Sequence, residues 1–312
     1  MQRVVSPKKS MLSARFVRSI RRHRFIYLMA LPVVVYYIIF MYWPMYGAQI
    51  AFKRFSLGLG IERSKWIGFV NFTRFFNSFY LGRIFRNTLL ISLYSLIFAF
   101  PAPIILALLL NELRSPKYKS FVQTATYLPH FISIMVVCGM IVDFTRSSGI
   151  INDLVALLGG ARQTMLLQPS LFRRVYILSE IWQSVGWGSI IYLSALASID
   201  AEQYEAAVID GAGRFQKIIH VTLPGIAPTI IVMLILRIGQ MMNVSYEKII
   251  LLYNGATYEV ADVISTFVYR KGLIEADYSY SAAVGLFNSA INLLLLFFAN
   301  TVSRGVSEMS LW

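Results

Sequence analysis

Long apolar runs separated by short polar islands organise this chain. A bilayer core of about 30 Å takes roughly 20 apolar residues to cross as a helix. Six stretches meet that length, at about 25–46, 87–111, 120–142, 174–199, 225–253 and 279–303. The second has no charge between Arg86 and Glu112, and the sixth none between Asp277 and Arg304. The third carries only His130, the fourth holds Glu180, and the fifth holds Arg237, Glu247 and Lys248. Lipid cannot satisfy an open backbone, and these runs are far longer than barrel strands. The expected fold is therefore all-α and membrane-embedded, with six transmembrane helices. No internal repeat and no low-complexity tract is visible.

The connections 47–86, 143–173 and 254–278 are long enough to form structured caps. Gly149 to Leu158, followed by Gly159-Gly160, predicts a short helix with a glycine stop. The island 200–224 predicts a helix-turn-helix. Asp200 is a good N-cap with Gln203 at the third helical position, and Ile199 and Tyr204 flank it as a hydrophobic staple. A helix over 201–209 should end at Asp210-Gly211, where glycine accepts a left-handed turn. A second helix over 213–221 should run to Pro224, which starts the next membrane segment.

Composition agrees with lipid as the main solvent. Of 312 residues 57% are hydrophobic and 14% charged, against about a quarter charged in soluble domains. The net charge is +14. Eight of the 29 basic residues precede residue 25, so the charge reads as a cytoplasmic flank beside anionic lipid, not as a nucleic-acid surface. Summed over whole connections, basic residues divide almost evenly between the two sides. The dense N-terminal cluster decides, and both termini are placed in the cytoplasm. The expected organisation is a basic arm 1–24, a transmembrane domain 25–303 and a cytoplasmic tail 304–312. The stretch 25–46 is too long for a signal peptide and contains Pro32 and Pro44. Cys138 is the one cysteine, and His23, His130 and His220 have no ligand spacing. The chain has no phosphate-binding G-x-x-x-x-G-K-[ST], no H-E-x-x-H and no G-x-S-x-G. No catalytic residue, metal ligand or cofactor is expected within it.

Charges inside membrane helices usually face protein or water. On a continuous helix Arg237 and Lys248 would share a face about 16 Å apart, with Met241 and Val244 between them. Glu180 would share a face with Ser184, Trp187 and Ile191, and Trp187 lies between Gly186 and Gly188. A solute path lined by Gln183, Trp187, Arg237, Asn243, Tyr246, Lys248 and Asn288 is one reading. The other is that Arg237–Glu180 or Glu247–Lys248 are structural ion pairs and the tryptophans are packing. Lys53, Arg54, Arg63, Lys65, Arg74, Arg270 and Lys271 on the outer connections would attract an acidic solute or an acidic protein, or simply form a solvated face.

The island also carries a motif. Glu205-Ala206-Ala207, Asp210-Gly211-Ala212 and Leu223-Pro224 resemble the EAA loop of ABC importer permeases of type I. Trp66-Ile-Gly-Phe-Val-Asn-Phe, Tyr127-Leu-Pro-His-Phe-Ile, Trp182-Gln-Ser-Val-Gly-Trp-Gly, Leu236-Arg-Ile-Gly and Leu251-Leu-Tyr-Asn resemble the subfamily importing polysaccharide-derived oligosaccharides, alginate among them. The resemblance implies a cytoplasmic coupling helix in which Tyr204, Glu205, Ala206, Ala207, Asp210, Gly211, Ala212, Phe215, Leu223 and Pro224 meet an ATPase. It also implies a bacterial inner-membrane location, a second permease subunit, expected as a homologous heterodimer partner, and two ATPase copies binding ATP and Mg. An extracytoplasmic binding protein and an oligosaccharide substrate complete the set. An ion-coupled secondary transporter using Glu180 and Glu247 as relays is the alternative, although two similar halves and broken helices are expected of it. A membrane enzyme acting on lipid-linked sugars is a third.

Overall fold

The computed structural model describes residues 22–307, 310 and 311, so most of the basic arm and part of the tail lie outside the described residues. The first apolar run is a helix, α1 (Arg24–Phe52), with none of its most apolar window buried. An apolar window that no other described residue covers needs lipid or another protein around it; only the C-terminal end of α1 packs, where Ala51 is fully buried. A short antiparallel pair follows, β1 (Lys53–Arg54) and β2 (Lys65–Trp66). Among the described residues this pair is the one departure from the all-α expectation. Then come α2 (Val70–Phe76) and α3 (Leu81–Asn111).

Segment three is not one helix. It divides into α4 (Pro116–Tyr127), a 3-10 turn at Leu128–Phe131, and α5 (Ile134–Thr145). Pro129 has no N–H to continue the α-helical ladder, and Ser133 caps α5 by accepting from the Val136 amide at 3.4 Å. After a turn, α6 (Ile150–Leu157) ends at Gly159, whose φ is +82°. Next is α7 (Pro169–Ala197), 29 residues long. It matches the fourth sequence-predicted segment but carries Arg173, Arg174 and Glu180. Among the described residues, five stretches are long and apolar enough to cross a membrane: α1, α3, Ile134–Leu157, Arg214–Gly239 and Tyr278–Gly305.

Segment five is also broken. After α8 (Ala201–Ile209), one helix α9 runs Arg214–Gly239, the chain opens over 240–245, and α10 (Tyr246–Leu252) resumes. The continuous helix assumed for 225–253 is thus corrected. Gly239, Asn243 and Ser245 are weak helix formers placed close together. Irregular backbone at membrane depth needs internal partners, and it has them. Asn292 accepts from the Met242 amide at 2.9 Å, Ser265 donates to the Val244 carbonyl at 2.7 Å, and Ser92 donates to the Met241 carbonyl. The supposed outer cap 254–278 contains α11 (Ile264–Tyr269), whose Ile264 and Phe267 are buried against Phe75, Ile84 and Val284. Last comes α12 (Tyr278–Ser307).

Cross-contacts fix the helix directions. Asn87 meets Arg173, Ser95 meets Glu180, and Pro103 meets Gly188, so α3 and α7 run parallel. Gly225 approaches Ile199 while Arg237 meets Glu180, so α9 runs antiparallel to α7. The short 112–115 connection and the α8 region therefore sit at one end. A core of Ile104, Ala107, Tyr192, Leu196 and Ile226 backs that end. A second core, including Ile91, Val137, Phe172 and Ile249, fills the other half.

Candidate functional site: an exposed lever and an internal cavity

The turn after α8 is closed by its own backbone. Asp200 Oδ1 accepts from the Glu202 amide at 3.1 Å and caps the helix start; the expected side-chain pairing with Gln203 does not form, and the Gln203 amide donates to the Asp200 carbonyl at 3.3 Å. At the far end Gly211 sits at φ +75°. Its amide donates to the Val208 carbonyl at 3.0 Å, and the Ala212 amide donates to the Ala207 carbonyl at 2.8 Å. This pair of bonds is the Schellman arrangement, which satisfies the last carbonyls of a helix. The spacing from Ala207 to Asp210-Gly211-Ala212 thus has a local cause.

The next helix starts where Gln216 accepts from the Gly213 amide at 2.7 Å. It does not stop at residue 221. A π turn over Ile218–Thr222 widens the helix directly before Pro224, which accommodates the missing amide and the ring. The helix passes through Leu223 and Pro224 into the membrane segment. The Tyr204 hydroxyl lies 3.0 Å from Thr222 Oγ1, tying α8 to α9. Val208, Ile209 and Phe215 are exposed, Ile209 by 85% and Phe215 by 80%. Glu205, Ala206 and Asp210 are exposed as well, while Ala207 and Ala212 are half-buried.

At its other end, α9 reaches a half-open cavity of about 350 Å³ lined by α3, α5, α7, α10, the 3-10 turn and the open segment 240–245. Gln183, Arg237, Asn243 and Lys248 line it, together with His130, Ser95, Glu180 and Gln240, which were not on the expected path. Arg237 donates to Glu180 Oε1 at 2.7 Å and also to Ser95, whose hydroxyl reaches both Glu180 oxygens at 2.9 Å. The Arg237–Glu180 pair is therefore present. The Glu247–Lys248 pair is not: Lys248 is buried and Glu247 exposed, as neighbours about 100° apart on a helix.

Three expected path residues stand outside the cavity lining. Trp187 stacks on His130 with ring centroids 4.6 Å apart and planes 3° apart. Tyr246 stacks on Tyr269 at 5.4 Å. Asn288 donates to Asn243 Oδ1 at 3.0 Å, beside Asn292 at 2.9 Å, and so holds a lining residue in place. Gly186 and Gly188 do make close approaches: a Cβ at either would collide with Thr126 or Pro103. Among the described residues no group of three or more His, Cys, Asp or Glu is placed to hold a metal.

The pair admits a double-mutant test. Arg237→Met alone strips Glu180 of its guanidinium and is expected to lower stability by about 1–2 kcal/mol, since Arg237 is half-exposed. Adding Glu180→Gln should recover most of that loss in thermal midpoint. Strictly additive losses would show that the two side chains are uncoupled.

The outer basic face is smaller than its sequence suggests. Arg74 pairs with Asp277 at 2.7 Å and Lys271 with Glu275 at 2.5 Å. Lys53 is buried and donates to the Ile61 carbonyl at 2.8 Å. Arg270 at 3.0 Å and Arg83 at 3.5 Å both meet Asp262, which is fully buried. Of the seven, Arg54, Arg63, Lys65 and the buried Lys53 have no carboxylate within ion-pair distance among the described residues, and the first three are exposed. Sequence reasoning missed Asp262.

Known proteins share this architecture. The family model described as "Binding-protein-dependent transport system inner membrane component" matches residues 79–308. Protein LplB of Bacillus subtilis is 44% identical over 95% of this chain and 94% of its own. The polygalacturonan/rhamnogalacturonan transport system permease protein YteP of Bacillus subtilis is 41% identical over 96% and 93%. A crystal structure of a bacterial ABC transporter importing the acidic polysaccharide alginate superposes with a TM-score of 0.86, at 45% identity, over 94% of this chain and 99% of that one. The alginate transporter in complex with a periplasmic protein bound to alginate pentasaccharide gives 0.87 and 44%, over 95% and 100%.

Proposed function

The chain belongs to the binding-protein-dependent transport system inner membrane component family, and from that premise we propose that it is one half of the membrane pore of an ATP-driven oligosaccharide importer. An acidic oligosaccharide is the favoured cargo. Relatives named for polygalacturonan and alginate transport support that choice, and so does the cationic side of the cavity.

The observation that carries the mechanism is the continuity of α9. It spans 26 residues, about 39 Å at 1.5 Å per residue, and joins the exposed turn to the cavity wall at Arg237. Two ATPase subunits, holding ATP and Mg, would grip Glu205, Ile209 and Phe215 on this chain and the matching loop of a second permease. Their closure would tilt α9 against α7 and move the cavity between outward and inward access. The turn is suited to that role because its hydrogen bonds are internal, so a push is transmitted without melting it. In this reading all six sequence-predicted segments span the inner membrane, with both termini and the coupling loop in the cytoplasm. The uncovered α1 would lie against lipid and the second permease.

The test is purification of the chain with its permease partner and ATPase, followed by ATP hydrolysis in proteoliposomes. Addition of a sugar-loaded binding protein should stimulate hydrolysis several-fold. Uptake driven by an ion gradient in vesicles without any ATPase would overturn the proposal in favour of a secondary transporter.

A further inference from the structure

The two intramembrane cations, equivalent in the sequence, are not equivalent in the fold. Arg237 is neutralised by Glu180. Lys248 is 3% exposed, lines the same cavity, and its Nζ has no hydrogen-bond partner among the described residues. Its Nζ lies 4.9 Å from the face of Tyr176, and the Glu180 carboxylate, already paired with Arg237, acts on it electrostatically from the same cavity lining. A cation over an aromatic ring is only partly compensated. Burying an ammonium without a partner opposes folding by several kcal/mol. A permanent protein carboxylate would remove that penalty and would also occupy the site.

We propose that Lys248 is the group that recognises a sugar carboxylate in transit, making the cavity a binding subsite for a uronate-type residue. This rests on the import reading above. The geometry suits the task. Ser245 caps α10 by accepting from the Lys248 amide at 3.4 Å, which sets Lys248 in the first turn of the helix. Gln183 and Asn243 on the same wall supply amide groups for ring hydroxyls. The cavity is at the small end of ligand sites, in keeping with one or two sugar units held at a time. Arg237 and Glu180, as a closed pair, discriminate little between acidic and neutral sugars.

The test uses the complete importer in proteoliposomes, with a galacturonate trisaccharide and its carboxyl-reduced, neutral counterpart as substrates, each presented at saturating binding protein. Lys248→Met is expected to lower the ratio of acidic to neutral trisaccharide uptake about tenfold or more. Lys248→Arg should restore most of the acidic uptake. Equal losses for both sugars, or loss of the second permease from the purified complex, would assign Lys248 a structural or subunit-seam role and overturn the proposal. Unchanged acidic uptake in Lys248→Met would overturn it too. A wild-type complex that hydrolyses ATP yet moves neither sugar would defeat the import reading itself.

Discussion

Replacing Gly211 by valine is expected to cut ATP-driven uptake at least about tenfold while leaving the membrane helices folded. At φ +75° a β-branched residue is a steric outlier, and the left-handed region costs L-residues roughly 1–2 kcal/mol even without branching. The turn would relax by rotating out of that region. Both closing bonds, from Gly211 to Val208 and from Ala212 to Ala207, would then be lost. Ile209 and Phe215, the exposed apolar side chains on either side of the turn, would change their relative placement. Nothing lies within 4 Å of a Cβ built on Gly211, so a core clash does not contribute. Gly211→Asn is the control, because asparagine tolerates the left-handed region; it should retain most of the uptake. Retention of the ATPase on the purified complex and the thermal midpoint of the membrane part are read in parallel. Wild-type uptake in Gly211→Val would show that the geometry of this turn does not transmit the motion.

The second large effect lies at the opposite end. Asp262→Ala is expected to destabilise the chain by about 3–5 kcal/mol, the range for breaking a buried ion pair from one side. The carboxylate is fully buried and holds Arg270, Arg83 and the Thr266 hydroxyl, the last at 2.8 Å. Asn87 extends the network. It donates to the carbonyls of Glu259 and Asp262 at 2.7 and 3.0 Å and accepts from Arg173 at 2.7 Å. Removing one carboxylate would leave two guanidinium groups facing each other where α3, α7 and α11 converge. Asp262→Asn keeps an acceptor for Thr266 but not the charge, so it should fall between. Thermal unfolding in detergent checks the order wild type, Asn, Ala. An Ala variant within about 1 kcal/mol of wild type would mean that the arginines find solvent.

The two sites differ in how far the sequence betrayed them. The turn after α8 was legible because its determinants are local: a capping aspartate, a helix-forming run, and a glycine four residues after Ala207. The continuation of α9 through Pro224 was less so, since the π turn that absorbs the proline has no short sequence signature. In the fifth segment the signal was present. Gly239, Asn243 and Ser245 within an apolar run mark a helix that opens, and hydropathy averaged over the run conceals them. Arg237, Asn243 and Lys248 consequently reach one cavity by a route other than a shared helical face.

What the amino-acid order determined on its own is periodic or local: the apolar segments, the polar island, the helix caps and the lack of phosphate-binding or metal-binding motifs. These depend on neighbours a few residues apart, whose interactions the order of residues states directly. Only the tertiary structure decided which charges are neutralised. Glu180 and Arg237 are 57 positions apart, and Asp262 and Arg83 are 179 apart. Coulomb energy depends on distance and burial, and both are set by packing between helices. That same packing left Lys248 buried, with no hydrogen-bond partner for its Nζ among the described residues.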